Sequence, residues 1–223
     1  MMFERYYCVG CGQSKAKPFM KWILNEIGIC RECSKDIKTT RDMTFESKEF
    51  IDIIISPFLY DGAVKEIVCA FKFSGQRRYG DFLTALAFEY IKDNNVLNEY
   101  DIIVPVPLHK NRLDERTFNQ SDIISKRLGK LMNKEVNYSA LVRIRDTLHQ
   151  SSLKGADRVN NVKDAFLVSE GGLEGKKIIL VDDIYTMGET ANECAKALRL
   201  AGAEKVAVFT LCKRAAKQKS SLF

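Results

Sequence analysis

The segment Ile178-Ile179-Leu180-Val181-Asp182-Asp183-Ile184-Tyr185-Thr186-Met187-Gly188-Glu189-Thr190 constrains this chain more than any other. Four consecutive apolar residues at its start require a strand covered on both faces. Two carboxylates follow, expected where the strand leaves the sheet. A Thr/Gly turn then leads into a helix over Glu189–Ala201, stopped by Gly202. A helix N-terminus presents orphan backbone N–H groups and the positive end of its dipole, which suits an anion. Gly188 lets the backbone approach a phosphate or take positive φ, and the Thr186 and Thr190 hydroxyls add donors. The turn Thr186-Met187-Gly188-Glu189-Thr190 therefore predicts a monophosphate cup. Asp182 and Asp183, as ionised acceptors, suit the two hydroxyl donors of a ribose 2′,3′-diol. The plainer alternative is a helix N-cap with acidic neighbours. Strand, acid pair, Thr, Gly and Thr all in register favour the sugar phosphate.

The rest of the chain supplies a setting for such a loop. Ile51–Tyr60 is a β-branched and aromatic run ending at an Asp61-Gly62 turn. Helical spacing predicts helices over Val64–Phe73, Phe82–Ile91 and Gln120–Met132. Short strands are expected at Ile102–Val106, Leu141–Ile144, Ala165–Val168, Lys177–Val181 and Lys205–Leu211. Strands alternating with helices imply an α/β fold, a mostly parallel sheet flanked by helices. Ligands of such sheets bind beyond the carboxyl ends of the strands. That rule selects Pro105–Arg112, the stretch after Ile144, and Asp182–Thr190. No apolar run approaches the roughly 18 residues of a membrane span. The first residues lack the basic start and apolar stretch of a secretory signal, so a cytoplasmic protein is expected.

Val104-Pro105-Val106-Pro107-Leu108-His109 ends one of these strands. Its two prolines forbid helix and fix an extended exit. Lys110, Arg112 and Arg116 follow. The acid-pair segment resembles the signature of type I phosphoribosyltransferases, and the Val106–Arg112 loop resembles in place the one with which that family binds pyrophosphate. The resemblance implies that the acid pair holds the ribose hydroxyls, that the Thr/Gly turn holds the 5-phosphate, and that cations near the leaving group stabilise it. A mere basic turn is the alternative at 106–112. The polar stretch Arg143–Asn161 then corresponds to a mobile loop that closes over the reaction, with Lys154 and Arg158 meeting the pyrophosphate. His149 in that stretch is more simply a solvated side chain. Lys72, with Arg77 and Arg78, is either an addition to the phosphate or nucleic-acid surface or a solvated cationic face.

Cys8-x-x-Cys11 and Cys30-x-x-Cys33 stand near the N-terminus with 18 residues between the pairs. Cytosolic cysteines at this spacing read as a four-thiolate zinc site. Four protein ligands leave no open position, so the zinc is structural and supplies folding energy to a module too small for a core of its own. Redox use of the two pairs is the alternative. Cys69, Cys194 and Cys212 are expected in the core. Three regions follow: a zinc-binding module over residues 1–45, a phosphoribosyltransferase-like domain over 51–214, and a basic tail over 215–223. The net charge of +6, concentrated in the basic loops and the tail, suits anionic partners.

The zinc module joined to this domain resembles the ComF (ComFC) family of bacterial competence proteins over nearly the whole chain. Besides the cysteines and the acid-pair loop, the resemblance rests on Phe71-Lys72-Phe73, the Val104–His109 loop, Arg116-Thr117-Phe118-Asn119-Gln120, Arg145-Asp146-Thr147 with Gln150, and Arg158-x-x-Asn161. The family usually has Gly where Thr117 stands and Thr-Thr where Thr186-Met187 stands. Membership implies a role in handling incoming single-stranded DNA during natural transformation, beside a helicase-like translocase. Three readings of the chemistry remain. The first is an Mg²⁺-dependent phosphoribosyltransferase acting on phosphoribosyl pyrophosphate. The second is a non-catalytic single-stranded DNA-binding factor that uses the pocket for sensing, with Trp22, Tyr6 and Tyr7 as candidate stacking residues, Trp22 being more simply a core residue. The third is an adaptor with a vestigial pocket.

Overall fold

Where the strand of the acid pair ends, and what lies beside it there, decides the architecture. The computed structural model describes residues 5–16, 29–40, 48–73, 75–145, 162–169 and 171–215. Two short antiparallel strands, β1 (Arg5–Tyr7) and β2 (Ser14–Ala16), and the one-turn helix α1 (Arg31–Lys35) carry the N-terminal cysteines. Strands β3 (Ile53–Ile55) and β4 (Phe58–Leu59) split the predicted 51–60 run at Ser56-Pro57. Helices α2 (Gly62–Phe73) and α3 (Arg77–Ile91) follow, the second starting five residues before its apolar periodicity does. Next come β5 (Ile102–Pro105), α4 (Lys110–Arg116), α5 (Gln120–Met132) and β6 (Glu135–Val136). After β7 (Leu141–Arg143) and β8 (Phe166–Val168), the chain closes with β9 (Lys177–Tyr185), α6 (Glu189–Leu200) and β10 (Lys205–Lys213). No helix among the described residues is long and apolar enough to cross a membrane.

The main sheet runs β3-β10-β9-β5-β6, every neighbour pair parallel, with β4 continuing the edge beside the end of β10. One face is covered by α2, α3 and α5, which bury Val64, Ile67, Phe71, Leu83 and Ile124 against Ile103, Ile179, Val181 and Phe209. The other is covered by α6 and by β7 and β8, where Cys194, Leu198, Leu141 and Phe166 meet Val104, Ile178, Leu180 and Val208. Burial on both faces explains why Val206–Leu211 reads as a nearly continuous apolar run. Each large side chain in such a run contributes roughly 1.5–3 kcal/mol by leaving water.

Three sequence expectations are corrected. β9 does not end at Val181; it pairs with β10 as far as Tyr185 opposite Lys213, so the acid pair lies inside the strand. β5 stops at Pro105 opposite Val181, and Asp182–Tyr185 therefore project past it. β7 and β8 are not members of the parallel sheet. They form a separate antiparallel ribbon, with Val142 and Leu167 exposed, because each strand is only three residues long and buries one face. Finally, Lys110–Arg116 is a helix rather than an open loop, with His109 as its N-cap.

Thr117 ends α4 in the left-handed region at φ 64°, a conformation that costs a β-branched residue about 1 kcal/mol or more relative to glycine. Thr117→Gly is expected to raise stability by about 0.5–1.5 kcal/mol in urea unfolding. A fall in the unfolding midpoint would show that contacts of the threonine side chain outweigh its backbone strain.

Candidate functional site

Asp182 and Asp183 both line one cleft at the end of β9, each with its own partner. Asp183 faces α2, where its Oδ2 is 2.7 Å from Lys72 Nζ, the two side chains only 11% and 17% exposed. Lys72 is therefore not a solvated cation. It reaches from the last turn of α2 into the strand end. Asp182 accepts a hydrogen bond from Ser121 Oγ at 3.2 Å and from the Asp183 N–H at 2.8 Å. Burial and the adjacent Asp183 charge push the Asp182 carboxyl up to about 7, against the pull of the Asp183 N–H, Lys72 and Ser121.

The Thr/Gly turn follows at once. Gly188 is the N-cap of α6 with φ 76°, and it has no side chain with which to cap the helix. A Cβ at this position would collide with the ring and hydroxyl of Tyr185, so glycine alone lets the turn fold over that buried ring. Thr186, Gly188, Glu189 and Thr190 line a small hollow with Asp182 and Thr210. Met187 is 49% exposed and lines neither hollow nor cleft. Its carbonyl accepts a hydrogen bond from Lys48 Nζ at 2.6 Å, and the same ammonium lies 3.0 Å from Glu189 Oε1. Lys48 thus holds the turn from outside. A contact between residues 139 apart leaves no mark in the sequence.

A cleft of about 210 Å³ opens beside the hollow, bounded by Asp182, Asp183, Thr186 and Thr190 on the β9 side and by Val106, Pro107, Leu108 and Arg112 on the β5 side. His109 and Lys110 do not line it. The His109 Nδ1 instead accepts the Asn111 N–H at 3.4 Å and caps α4. Asn119, buried at the N-cap of α5, donates through Nδ2 to the Val106 carbonyl (3.0 Å) and to Asp122 Oδ1 (2.8 Å). It thereby ties the Pro-rich exit to the helix that carries Ser121. Burial pushes the Asp122 carboxyl up to about 6, against its hydrogen bond from Asn119. Arg143 and Arg214 complete the walls, with Lys72, Ser121 and Asn119. Sequence reasoning missed the roles of Arg143, Arg214, Ser121 and Lys48. For Asn119 a signal existed, an Asn directly before a predicted helix. Lys154, Arg158 and His149 lie outside the described residues, as do Trp22 and the tail beyond residue 215.

At the N-terminus, Cys8 and Cys11 sit on the turn between β1 and β2, and Cys30 caps α1. One ligand atom from each of Cys8, Cys11, Cys30 and Cys33 lies within 4.8 Å of all the others. Four thiolates around zinc at about 2.3 Å would stand about 3.8 Å apart, so this cluster can hold the ion after small movements. The Cys30 N–H points to Cys8 Sγ at 3.2 Å. Burial works against ionisation of Cys8, but the backbone N–H groups of Cys30, Cys11 and Gly10 outweigh it and bring the thiol down to about 7. A Cβ on Gly10 would lie 2.9 Å from Cys33 Sγ, so the two knuckles approach only because that residue is glycine. Tyr7, beside the cluster, is 78% exposed.

A parallel sheet with an acid pair at the end of one strand, a Thr/Gly turn after it and a cation-lined exit on the next strand defines a phosphoribosyltransferase-type domain. The Phosphoribosyl transferase domain model matches residues 122–223. Competence protein F of Haemophilus influenzae is 28% identical over 213 residues, spanning 92% of this chain and 90% of that one. Competence protein ComFC of Streptococcus pneumoniae is 30% identical over 187 residues, 82% of this chain and 79% of its own. DNA utilization protein YhgH of Escherichia coli is 37% identical over 113 residues, 51% of this chain and 49% of its own. The chain belongs to the ComF (ComFC) family of competence proteins.

Proposed function

We propose that this protein binds phosphoribosyl pyrophosphate with Mg²⁺ in the β9 cleft and serves DNA uptake in natural transformation, handling single-stranded DNA beside a helicase-like translocase. The observation that carries the pocket reading is the placement of Asp182 and Asp183 between the Thr186–Thr190 hollow and the Val106–Arg112 wall. The hollow takes the 5-phosphate, Asp182 and Asp183 take the ribose hydroxyls, and Arg112 faces the pyrophosphate, joined by Lys154 and Arg158 from the 146–161 stretch. Two carboxylates are too few ligands for a protein-only Mg²⁺ site. The ion suits this place if it comes with pyrophosphate and ribose oxygens, whose charge it would neutralise. In the same reading, residues 1–45 form a zinc-binding module with Cys8, Cys11, Cys30 and Cys33 as ligands, residues 51–214 the phosphoribosyl domain, and 215–223 a basic tail. The uptake role is supported by the competence and DNA-utilization names of the relatives.

A sensing role without turnover is favoured by one further observation. Helix α2 carries Lys72 at its end and packs Ala63, Val64 and Ile67 in the same core as Cys8 and Cys30. Occupancy at Asp183 can thus be felt at the cysteine module. Calorimetry with phosphoribosyl pyrophosphate and Mg²⁺ tests the pocket. The wild type is expected to bind, and Asp183→Asn or the Asp182→Ala/Asp183→Ala pair to bind at least about tenfold more weakly, from loss of charge-assisted hydrogen bonds. No binding by the wild type, or undiminished binding by folded variants, would overturn the reading. DNA affinity that does not fall with salt would argue against phosphate contacts.

A further inference from the structure

The sheet order separates the two sides of the cleft. In the reading above, on which this inference rests, β9 carries the sugar and the exit of β5 carries the leaving pyrophosphate. A group approaching C1 opposite the leaving group must come from the other neighbour of β9, which is β10. That side is cationic. Arg214 follows β10 directly, its backbone N–H donating to the Tyr185 carbonyl at 3.1 Å, and the residue lines the cleft. Lys72 lines it too, held 2.7 Å from Asp183. An ammonium has three donors, and Asp183 accepts one of them, which leaves others to point into the cleft.

A nucleobase acceptor would need an apolar or aromatic plate. No aromatic side chain is among the described residues lining the cleft. A ring on this side, Tyr60, has the Arg214 guanidinium over it, 5.6 Å from its centroid, and its hydroxyl is 3.4 Å from Cys69 Sγ, one helical turn before Lys72. A cation therefore covers one face of that ring. We propose that the β10 side of the cleft is a phosphate subsite: Lys72 and Arg214 receive the phosphate of a second ligand, a nucleotide or the 5′-phosphorylated end of a DNA strand, rather than a free purine or pyrimidine.

The full-length protein, saturated with phosphoribosyl pyrophosphate and Mg²⁺ so that the other anion sites are filled, is titrated with matched probes. These are thymidine 5′-monophosphate against thymidine, and a 5′-phosphorylated single-stranded octanucleotide against its unphosphorylated twin. Adenine and uracil form the third arm. Each phosphorylated probe is expected to bind about tenfold or more tightly than its twin, as one or two charge-assisted hydrogen bonds allow. Arg214→Gln should erase that preference and Arg214→Lys restore part of it; Arg214 is exposed, so both variants should fold. A preference confined to the mononucleotide, or confined to the oligonucleotide, upholds the subsite and names its source. Equal binding of twins, or tighter binding of adenine or uracil, overturns the proposal while the pocket reading stands. Failure of phosphoribosyl pyrophosphate itself to bind the wild type removes both.

Discussion

Stripping the metal from the four-cysteine site, or replacing Cys30 with serine, is expected to lower the thermal midpoint of the whole protein by roughly 10 °C or more. It should also weaken phosphoribosyl pyrophosphate binding. The first half follows from where the cysteines lie. Cys8, Ile29 and Cys30 are buried in the same apolar cluster as Phe58, Val64, Ile67 and Phe71, so the module shares its core with α2 and the sheet instead of folding as a bead on a linker. Lys38 and Asp61 add an exposed ion pair at 2.8 Å across the same junction, worth little by itself. Structural zinc contributes folding energy outright, and without it the buried cysteine side chains would leave the cluster they share with α2. The second half follows from Lys72, which stands on the last turn of α2 and holds Asp183. Loosening α2 removes the partner that keeps that carboxylate in place. Thermal melts with and without a chelator, with zinc content measured in parallel, test the first half; calorimetry on the same samples tests the second. A midpoint within about 2 °C of the loaded protein, or an unchanged affinity, would show that the shared core does not couple the two sites.

The second large effect concerns Asp182. Burial and the neighbouring Asp183 push its carboxyl up to about 7 from the ordinary 3.8. A raised carboxyl pKa means that the folded state holds the proton to higher pH than the unfolded chain does. Stability from this group is therefore full below the unfolded pKa near 4 and is lost as pH rises through about 7. Asp182→Asn should remove that loss, so at pH 8 the variant is expected to be more stable than the wild type by about 1–3 kcal/mol. Ligand binding should move the opposite way. A carboxylate is the better acceptor for a ribose hydroxyl, so wild-type affinity should rise as pH passes from 6 to 8. The asparagine variant should bind more weakly at pH 8 and lose this pH step. Greater stability with poorer binding is the signature of a site held in an unfavourable charge state for a ligand. A variant that is less stable at pH 8, or that keeps the pH step, would assign the titration elsewhere.

The residues differ in how openly they announced these roles. Helix α5 spans the very residues its periodicity predicts, Gln120–Met132, because an amphipathic stripe is a local property. The acid pair and the Thr/Gly turn were legible for the same reason, as was the four-cysteine spacing. The length of β9 was not. Its last residues look like a turn in isolation and become strand only because β10 runs alongside them to Lys213. Lys72 was named as a candidate, but its partner was not legible, since that partner lies on a strand far along the chain and an ion pair between distant residues has no period to reveal it. Arg143 and Arg214 flank the cleft at the ends of strands whose neighbours no local pattern names.

By itself, then, the sequence determined the class of fold from its strand–helix alternation, the kind of ligand the Ile178–Thr190 loop suits, and a four-cysteine spacing able to hold a metal, because each depends on residues close together in the chain. Only the tertiary structure decided the partners of Asp182 and Asp183, a serine hydroxyl for one and a lysine for the other. It alone decided that the Arg214 guanidinium lies over the Tyr60 ring beside the cleft, and that the cysteine module is continuous with the main core. The physical reason is common to all three. Side-chain direction follows from local backbone, whereas charge state, burial and partner follow from what the fold brings up against it.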